Sequence, residues 1–370
     1  MLINYICKLH KETGFLFDIV CNSNTRNFYR RYKFFKTIIT VDDNSFLKNH
    51  NLLNRKYDQL LNLSYSRSYL SDLISSKVDA KNKITFKGDN ANQHQDSLER
   101  NNNHYSEIIN CSFPNLPEIL KFFKFFKHLY PSFFKVPIFP KIDLCEEEVN
   151  WASLFFKNHH LNKNTTLCFY PGTGTSVRKY SNYRDLLRSI QERLGASIII
   201  LGTINDIKLA NYCTDGLKNV INLCGKTSLS QCMALIKNSR CTLGGETGLS
   251  HIACSLSIFN TTVIGGGHIG RFMPYSDFSS LVLNPTSCYY CNWYCTQERV
   301  KCITDIDPEL ILRSLISSWN NFNLSKTSIY ANYTCDAETI ISKFFDYFDI
   351  NFERFKSDSK IFVKLKELIQ

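Results

Sequence analysis

Residues 166–176 spell TLCFYPGTGTS, a short apolar run that breaks into a turn with two glycines, and Tyr183–Leu194 follows with apolar positions at Leu186, Leu187, Ile190 and Leu194. The run predicts a buried strand, and the spacing after the turn predicts a helix with one apolar face. The same alternation continues downstream. Ser197–Leu201 (SIIIL) is a β-branched strand, Asp206–Cys213 a short helix and Val220–Leu223 a strand. Ser228–Asn238 is a helix with Leu229, Cys232, Met233 and Ile236 on one face. Cys241–Leu243 is a strand, Thr247–Leu256 a helix and Thr261–Ile264 a strand. Apolar strands alternating with amphipathic helices imply a parallel sheet with helices on both faces. Ligands of such folds sit at the carboxyl ends of the strands. Of the 15 glycines, 13 lie between Gly172 and Gly270, and the richest turns follow Tyr170, Leu243 and Ile264, all at such ends.

The rest of the chain is built differently. Its 370 residues suffice for two or three domains, and 44% hydrophobic with 14% aromatic content excludes a disordered chain. The first 145 residues offer strands at Phe15–Val20, Thr37–Val41 and Tyr57–Leu61, and a polar stretch, Asp89–His104, that predicts a mobile loop. Pro131, Pro137 and Pro140 precede a boundary expected at Lys141–Glu148. The domains expected are therefore 1–145, 149–325 and a helical tail over 335–370, where Ile340, Ile341, Phe344, Phe345 and Phe348 form an apolar stripe. There is no internal repeat.

A net charge of +11 favours phosphate-rich partners such as nucleotides, nucleic acid or anionic lipid, without choosing among them. No apolar run approaches the roughly 18 residues of a membrane span. Lys8, His10, Lys11 and Glu12 interrupt the amino-terminal stretch, so no signal peptide is expected and the cytoplasm is the expected location. Fifteen cysteines, an odd number, then suggest thiols, with metal ligation where they cluster.

Five stretches carry candidate chemistry. In 171–180 (PGTGTSVRKY), the turn of Thr173, Gly174 and Thr175 presents backbone N–H groups and hydroxyls, and Arg178 and Lys179 add charge, a set suited to phosphate. The GK[ST] ending of a P-loop is absent, and an ordinary glycine turn is the alternative. In 244–251 (GGETGLSH), Thr247 caps a helix whose first turn, at Gly248, favours an anion. Glu246 beside it suits sugar or ribose hydroxyls, and His251 lies one turn further, where core packing is the alternative reading. In 265–275 (GGGHIGRFMPY) the glycines match G-x-G-x-x-G, but Pro274 ends any helix at once and no acidic residue follows at the required distance, which excludes a dinucleotide site. A loop carrying Gly267, His268 and Arg271 suits a sugar diphosphate instead. Cys288, Cys291, Cys295 and Cys302 fall within 15 residues, a set for structural zinc or for thiols in an aromatic mini-core. In 121–135 (KFFKFFKHLYPSFFK), Phe122, Phe125, Phe126 and Leu129 share a helix face and are expected in a core, while the basic remainder suits a membrane surface. No nucleic-acid-binding module accompanies it, so nucleic acid is not an expected partner.

Together, PGTGTSVRKYSNY, LGTIND, NVINLCGKTSLSQCMALIKNS, GGETGLSHIACSL, GGGHIGRFMPY and the cysteine cluster ending in CITDIDPEL resemble glycosyltransferase family 9, the lipopolysaccharide heptosyltransferases, over about Thr166 to Leu310. The resemblance implies a GT-B fold of two Rossmann-like domains facing across a cleft. It implies a carboxyl-terminal domain that binds a nucleotide sugar, usually ADP-heptose. Transfer would be inverting and independent of cofactor and metal, structural zinc aside, to a lipid-anchored glycan acceptor at the inner face of the inner membrane. By position, Thr173 and Thr175 would bind phosphate, and Asp206 would lie near the ribose. Arg178 stands where the family often has Lys, and Tyr180 where it usually has Trp. Glu246 replaces the commoner Asp, while Thr247, Gly248 and His251 match. Family members open with a strand and a Gly-Asp turn that carries the general base. Here Leu2, Ile6 and Leu9 match the helix after that turn, so the amino-terminal domain is expected to be incomplete. No catalytic residue is assigned, and a catalytically inactive nucleotide-sugar or glycan binder is the alternative function.

Overall fold

The run 166–170 does become a strand buried at every position, and it lies at the centre of the larger of two α/β units. In the computed structural model the described residues are 2–41, 55–111, 117–267, 269–273, 275–320, 328–332, 352–357 and 360–365. The chain divides at Ile138/Phe139, a few residues ahead of the expected boundary.

In the first unit, β1 (Phe17–Cys21) pairs with β2 (Phe35–Thr40), and β3 (Lys56–Asn62), β4 (Asp79–Phe86) and β5 (Glu107–Ile109) form a second sheet, all pairings parallel. The helix Glu118–Leu129 buries Phe125 and Phe126 completely, so the basic-aromatic stretch is a core helix. Tyr5 of the helix Ile3–Thr13 stacks on Phe126 with ring centroids 5.0 Å apart, and Phe86 meets Phe125 at 4.6 Å. Aromatic rings thus supply most of this core, which fits the high Phe content.

The polar stretch 89–104 differs from the loop expected of it. Gln95–Asn101 is a helix, followed by a 3₁₀ turn at Asn102–His104. One apolar anchor, the buried Leu98, and side-chain amides hold it. Gln93 Nε2 donates to Asp72 Oδ2 at 2.7 Å, and the buried Arg67 donates to Asn102 Oδ1 at 2.5 Å. Composition alone does not reveal such partners, because they come from a segment more than 20 residues earlier.

In the second unit, β6 (Thr166–Tyr170), β7 (Ser197–Ile200), β8 (Val220–Asn222), β9 (Cys241–Gly245), β10 (Asn260–Val263), β11 (Ser279–Leu283) and β12 (Ser328–Asn332) form a parallel sheet in the order β12-β11-β10-β9-β6-β7-β8. β6 and β9 to β11 are buried at every position, as strands covered on both faces must be. The tail departs from the helix expected of it. Phe352–Ser357 (β13) and Lys360–Leu365 (β14) are strands that extend this sheet antiparallel from β12. Ile361, Phe362 and Val363 make a short apolar run with two β-branched residues, flanked by Lys360 and Lys364, a composition that suits a strand. The apolar stripe at 340–348 lies outside the described residues.

The strand order reverses at β6. The chain runs outward one way through β7 and β8, then returns to place β9 on the other side of β6. This reversal leaves a crevice at the carboxyl ends of β6 and β9, where open α/β sheets bind ligands.

Candidate donor site at the strand reversal

Register puts Tyr170, the last residue of β6, beside Gly244 of β9. The turn 171–176 and the segment 245–248 therefore leave the sheet side by side. A Cβ placed on Gly245 would lie 2.9 Å from Thr173 Cγ2, so the two turns are in contact. Thr173 Oγ1 donates to the Thr175 carbonyl at 2.7 Å and closes its own turn. Gly174 and Thr175 are exposed, and Arg178 follows on a 3₁₀ turn, Ser176–Arg178.

Glu246 is the central feature. It is 6% exposed, and among the described residues neither carboxylate oxygen has a hydrogen-bond partner. Burial pushes its carboxyl up to about 7, against the pull of Arg178 and Arg271 nearby. Thr247 Oγ1 and Arg178 Nε are likewise buried and unbonded. Buried polar atoms are almost always satisfied, so acceptors and donors left open together beside two arginines suit a polar ligand. Gly248 opens the helix Gly248–Ser255, whose free N–H groups add positive potential.

The other sequence candidates divide. Asp206 abuts the turn, because a Cβ on Gly172 would meet its Oδ1 at 2.1 Å. Its Oδ2 accepts from the Thr203 N–H at 2.7 Å and the Thr203 hydroxyl at 2.8 Å, so one oxygen caps a turn. His251 takes the packed reading. Its ring stacks on Tyr275 at 5.6 Å with Nδ1 3.1 Å from the Tyr275 hydroxyl, and desolvation pushes it down to about 3, so it stays neutral. Lys179 is exposed at the rim. His268 lies outside the described residues.

Of the two readings open for the cysteine-rich stretch, the aromatic one describes its packing. Cys288, Cys291, Cys295 and Cys302 line one pocket of about 290 Å³ and are free thiols. Among the described residues no group of three or more His, Cys, Asp or Glu is arranged to hold a metal ion, so the residues do not fit the zinc considered for them. The stretch instead packs its aromatic rings on the glycine turn. Tyr290 N–H donates to the Gly266 carbonyl at 2.8 Å and Asn292 N–H to the Gly267 carbonyl at 3.2 Å. A Cβ on Gly266 would fall 2.1 Å from the Tyr289 ring, and one on Gly267 2.3 Å from the Trp293 ring. The glycines at 266 and 267 are thus required by close aromatic packing. Tyr290, Asn292 and Trp293 all hold positive φ, of 67°, 52° and 65°, a strain the docking must offset. Trp293 reaches the site itself, since the Arg178 guanidinium lies 4.9 Å from its ring centroid. Sequence reasoning missed Tyr289 and Trp293. The signal was present, as aromatic residues between the cysteines, but no spacing rule tied them to the glycine turn at 265–267.

A parallel α/β sheet with its glycine turns, unbonded carboxylate and arginines at the strand reversal defines a class, the open-sheet α/β proteins whose ligand crevice lies at the carboxyl ends of the strands. The particular family follows from sequence: residues 47–301 match glycosyltransferase family 9 (heptosyltransferase), and the chain belongs to that family. No curated protein sequence matches the chain. Solved structures do. A family 9 glycosyl transferase from Veillonella parvula aligns over 86% of this chain and 93% of its own, with TM-score 0.71 and 13% identity. Escherichia coli ADP-heptose LPS heptosyltransferase II aligns over 86% and 94%, with TM-score 0.64 and 16% identity. E. coli heptosyltransferase WaaC, solved with ADP, aligns over 85% and 94%, with TM-score 0.61 and 15% identity. The chain therefore has the fold of the GT-B heptosyltransferases. No helix among the described residues is long and apolar enough to cross a membrane.

Proposed function

We propose that this chain transfers a heptose from ADP-heptose to the lipid-anchored core of a lipopolysaccharide or a related cell-surface glycan, with inversion and without a metal. The observation that carries the reading is Glu246, a buried carboxylate with both oxygens unbonded, set between Arg178 and Arg271 at the strand reversal. In this reading Glu246 accepts hydrogen bonds from donor hydroxyls. Thr173, Gly174, Thr175, Arg178 and Lys179 hold the diphosphate. Arg178, kept in place by Trp293, stabilises the negative charge that develops on the leaving nucleoside diphosphate. Asp206 borders the nucleoside end, and Gly267 and Arg271 border the sugar diphosphate. The general base is not assigned to any residue. The choice of ADP follows the family. The net charge of +11 supports contact with an anionic membrane surface, at the inner face of the inner membrane.

The test is a thermal-shift titration of the full chain with ADP, UDP, GDP and CMP. ADP at about 100 times its dissociation constant should stabilise the fold by roughly 2.7 kcal/mol. Arg178→Ala should weaken ADP binding about tenfold or more, since a hydrogen bond to a charged group contributes about 1.5–3 kcal/mol. A folded protein that responds to no nucleotide, or an Arg178→Ala variant that binds ADP unchanged, removes the donor site drawn here. Turnover of ADP-heptose with a lipid-linked acceptor separates a transferase from a protein that only binds.

A further inference from the structure

The segment from Pro285 to Val300, between β11 and the short helix Lys301–Thr304, is a strap without helix or strand. Both of its ends are tied to the glycine turn at 265–267. At the first end Tyr289, directly after Cys288, packs its ring so close to Gly266 that a Cβ there would fall 2.1 Å away. At the second end the Cys302 sulfur is hydrogen-bonded to the Gly266 backbone, and Ile303 lies 2.8 Å from where a Cβ on Gly265 would sit. Asn284 Nδ2 anchors this second end by donating to the Lys301 carbonyl at 2.9 Å. In between, Tyr290 N–H donates to the Gly266 carbonyl and Asn292 N–H to the Gly267 carbonyl, while Tyr290, Asn292 and Trp293 all hold positive φ. Such backbone is strained, so the strap keeps its docked shape against a tendency to lift. Arg178 rests on Trp293 of this strap, so whatever pins the strap also holds an arginine of the candidate donor site.

Cys288, Cys291, Cys295 and Cys302 line one pocket of this strap as free thiols, and Lys301 beside them favours a thiolate there. Cys288 is half-buried and reachable, whereas Cys302 is 7% exposed. Burial pushes the Cys302 thiol up to about 11, and of the other three sulfurs Cys288 acts on it most strongly. We infer that Cys288 and Cys302 form a reversible thiol–disulfide latch, closed by a peroxide, that pins the strap to the glycine turn and with it Trp293 and Arg178. The Cys288 thiolate attacks a peroxide oxygen, the O–O bond breaks, and Cys288 becomes a sulfenic acid as water or an alcohol leaves. The Cys302 sulfur then attacks that of Cys288. The S–S bond forms, the S–O bond breaks, and the oxygen departs as water with the proton of the second thiol. Two thiols thus lose two electrons and two protons, and the peroxide takes up both. A small dithiol reverses the step by exchange and is itself oxidised. The bond closes a loop of 15 residues, 288–302, and removes states in which the strap is lifted. The latch is independent of the proposed function, and only its effect on nucleotide binding rests on that reading.

The experiment treats the reduced full chain with hydrogen peroxide and digests it without reduction. Mass spectrometry should find one peptide pair joined through Cys288 and Cys302. The oxidised chain should melt roughly 4 °C or more higher than the reduced one. Amide exchange at Tyr290 and Asn292 should slow at least about tenfold, and a dithiol should restore it. ADP should bind the oxidised chain about threefold or more tightly, because less of the site is left to be ordered. Cys288→Ser and Cys302→Ser should abolish the bond and its effects, and Cys295→Ser should keep them. The bond and the exchange are read on the unsubstituted chain, so they decide the matter even where Cys302→Ser does not fold. Four thiols left unpaired by peroxide, Cys288 carried on to a sulfinic acid, or a bond between another pair would overturn the inference. So would a Cys288–Cys302 bond that leaves exchange at Tyr290 and Asn292 unchanged. A latched chain with slowed exchange that binds no nucleotide in either state upholds the latch and removes the donor-site reading alone.

Discussion

Replacing Glu246 by Gln is expected to make the ligand-free protein more stable at pH 8 while loosening its hold on a sugar nucleotide. The carboxyl is pushed by burial from 4.5 to about 7, so between those values the folded state binds more protons than the unfolded one. Stability then falls as pH rises through that window, and above it the whole cost of ionising a buried, unbonded carboxylate is present. A shift of that size corresponds to about 3 kcal/mol. The glutamine amide cannot ionise and escapes the cost. His251 acts in the opposite direction, since its pKa is pushed from 6.5 down to about 3 and stability gains as pH rises across that range. It is present in both proteins, so the difference between them isolates Glu246. The measurement is the urea midpoint of both proteins at pH 5 and pH 8. The variant's advantage should be small at pH 5 and near its maximum at pH 8. An advantage equal at the two pH values would mean that Glu246 does not carry the shift. Sugar-nucleotide affinity should fall at least about tenfold in the same variant, because an ionised acceptor is lost.

The second large effect is expected from Gly244→Ala. A Cβ at this position would lie 1.9 Å from Tyr170 Cδ2 and 2.6 Å from the Tyr170 carbonyl oxygen. Neither neighbour has room to move. Tyr170 is 2% exposed, its hydroxyl is hydrogen-bonded to Thr242 and Asn260, and its backbone is part of the β6–β9 ladder. Overpacking of a close-packed core usually costs about 1–3 kcal/mol, and conflict with both ring and backbone places this case at or above the upper end. For a unit of this size a loss of about 3 kcal/mol corresponds to a melting temperature lower by roughly 6–12 °C. Calorimetry of the full chain checks it. A loss below about 1 kcal/mol would show that β9 shifts to accommodate the methyl group and that the register at the strand reversal is softer than described.

Both residues sit at the end of β9, and the sequence signalled them unequally. GGETG advertised a turn and an anion-friendly helix start. It did not say that Glu246 would be sealed from water with both oxygens open, since that depends on what Arg178, Arg271 and Trp293 bring from three other segments. The same limit explains the cysteine stretch. Spacing within 15 residues suggested a ligand set, yet the side chains that matter to the site are Tyr289 and Trp293, placed by packing on glycines more than 20 residues earlier. It also explains 89–104, where polar composition predicted mobility and Arg67 and Asp72 supplied fixed partners.

The sequence by itself determined the parallel sheet over residues 166–264, the order of strands and helices along that stretch, the glycine turns at the carboxyl ends of its strands, and the family. Those properties follow from local periodicity and from glycines that only a few backbone shapes require. Tertiary structure alone decided that β6 and β9 become neighbours, that Glu246 is left buried and unbonded near two arginines, and that His251 is taken up by Tyr275. Each of these depends on contacts between segments far apart in the chain. Desolvation, steric exclusion and hydrogen-bond satisfaction are set by that meeting of surfaces, and no local spacing encodes it.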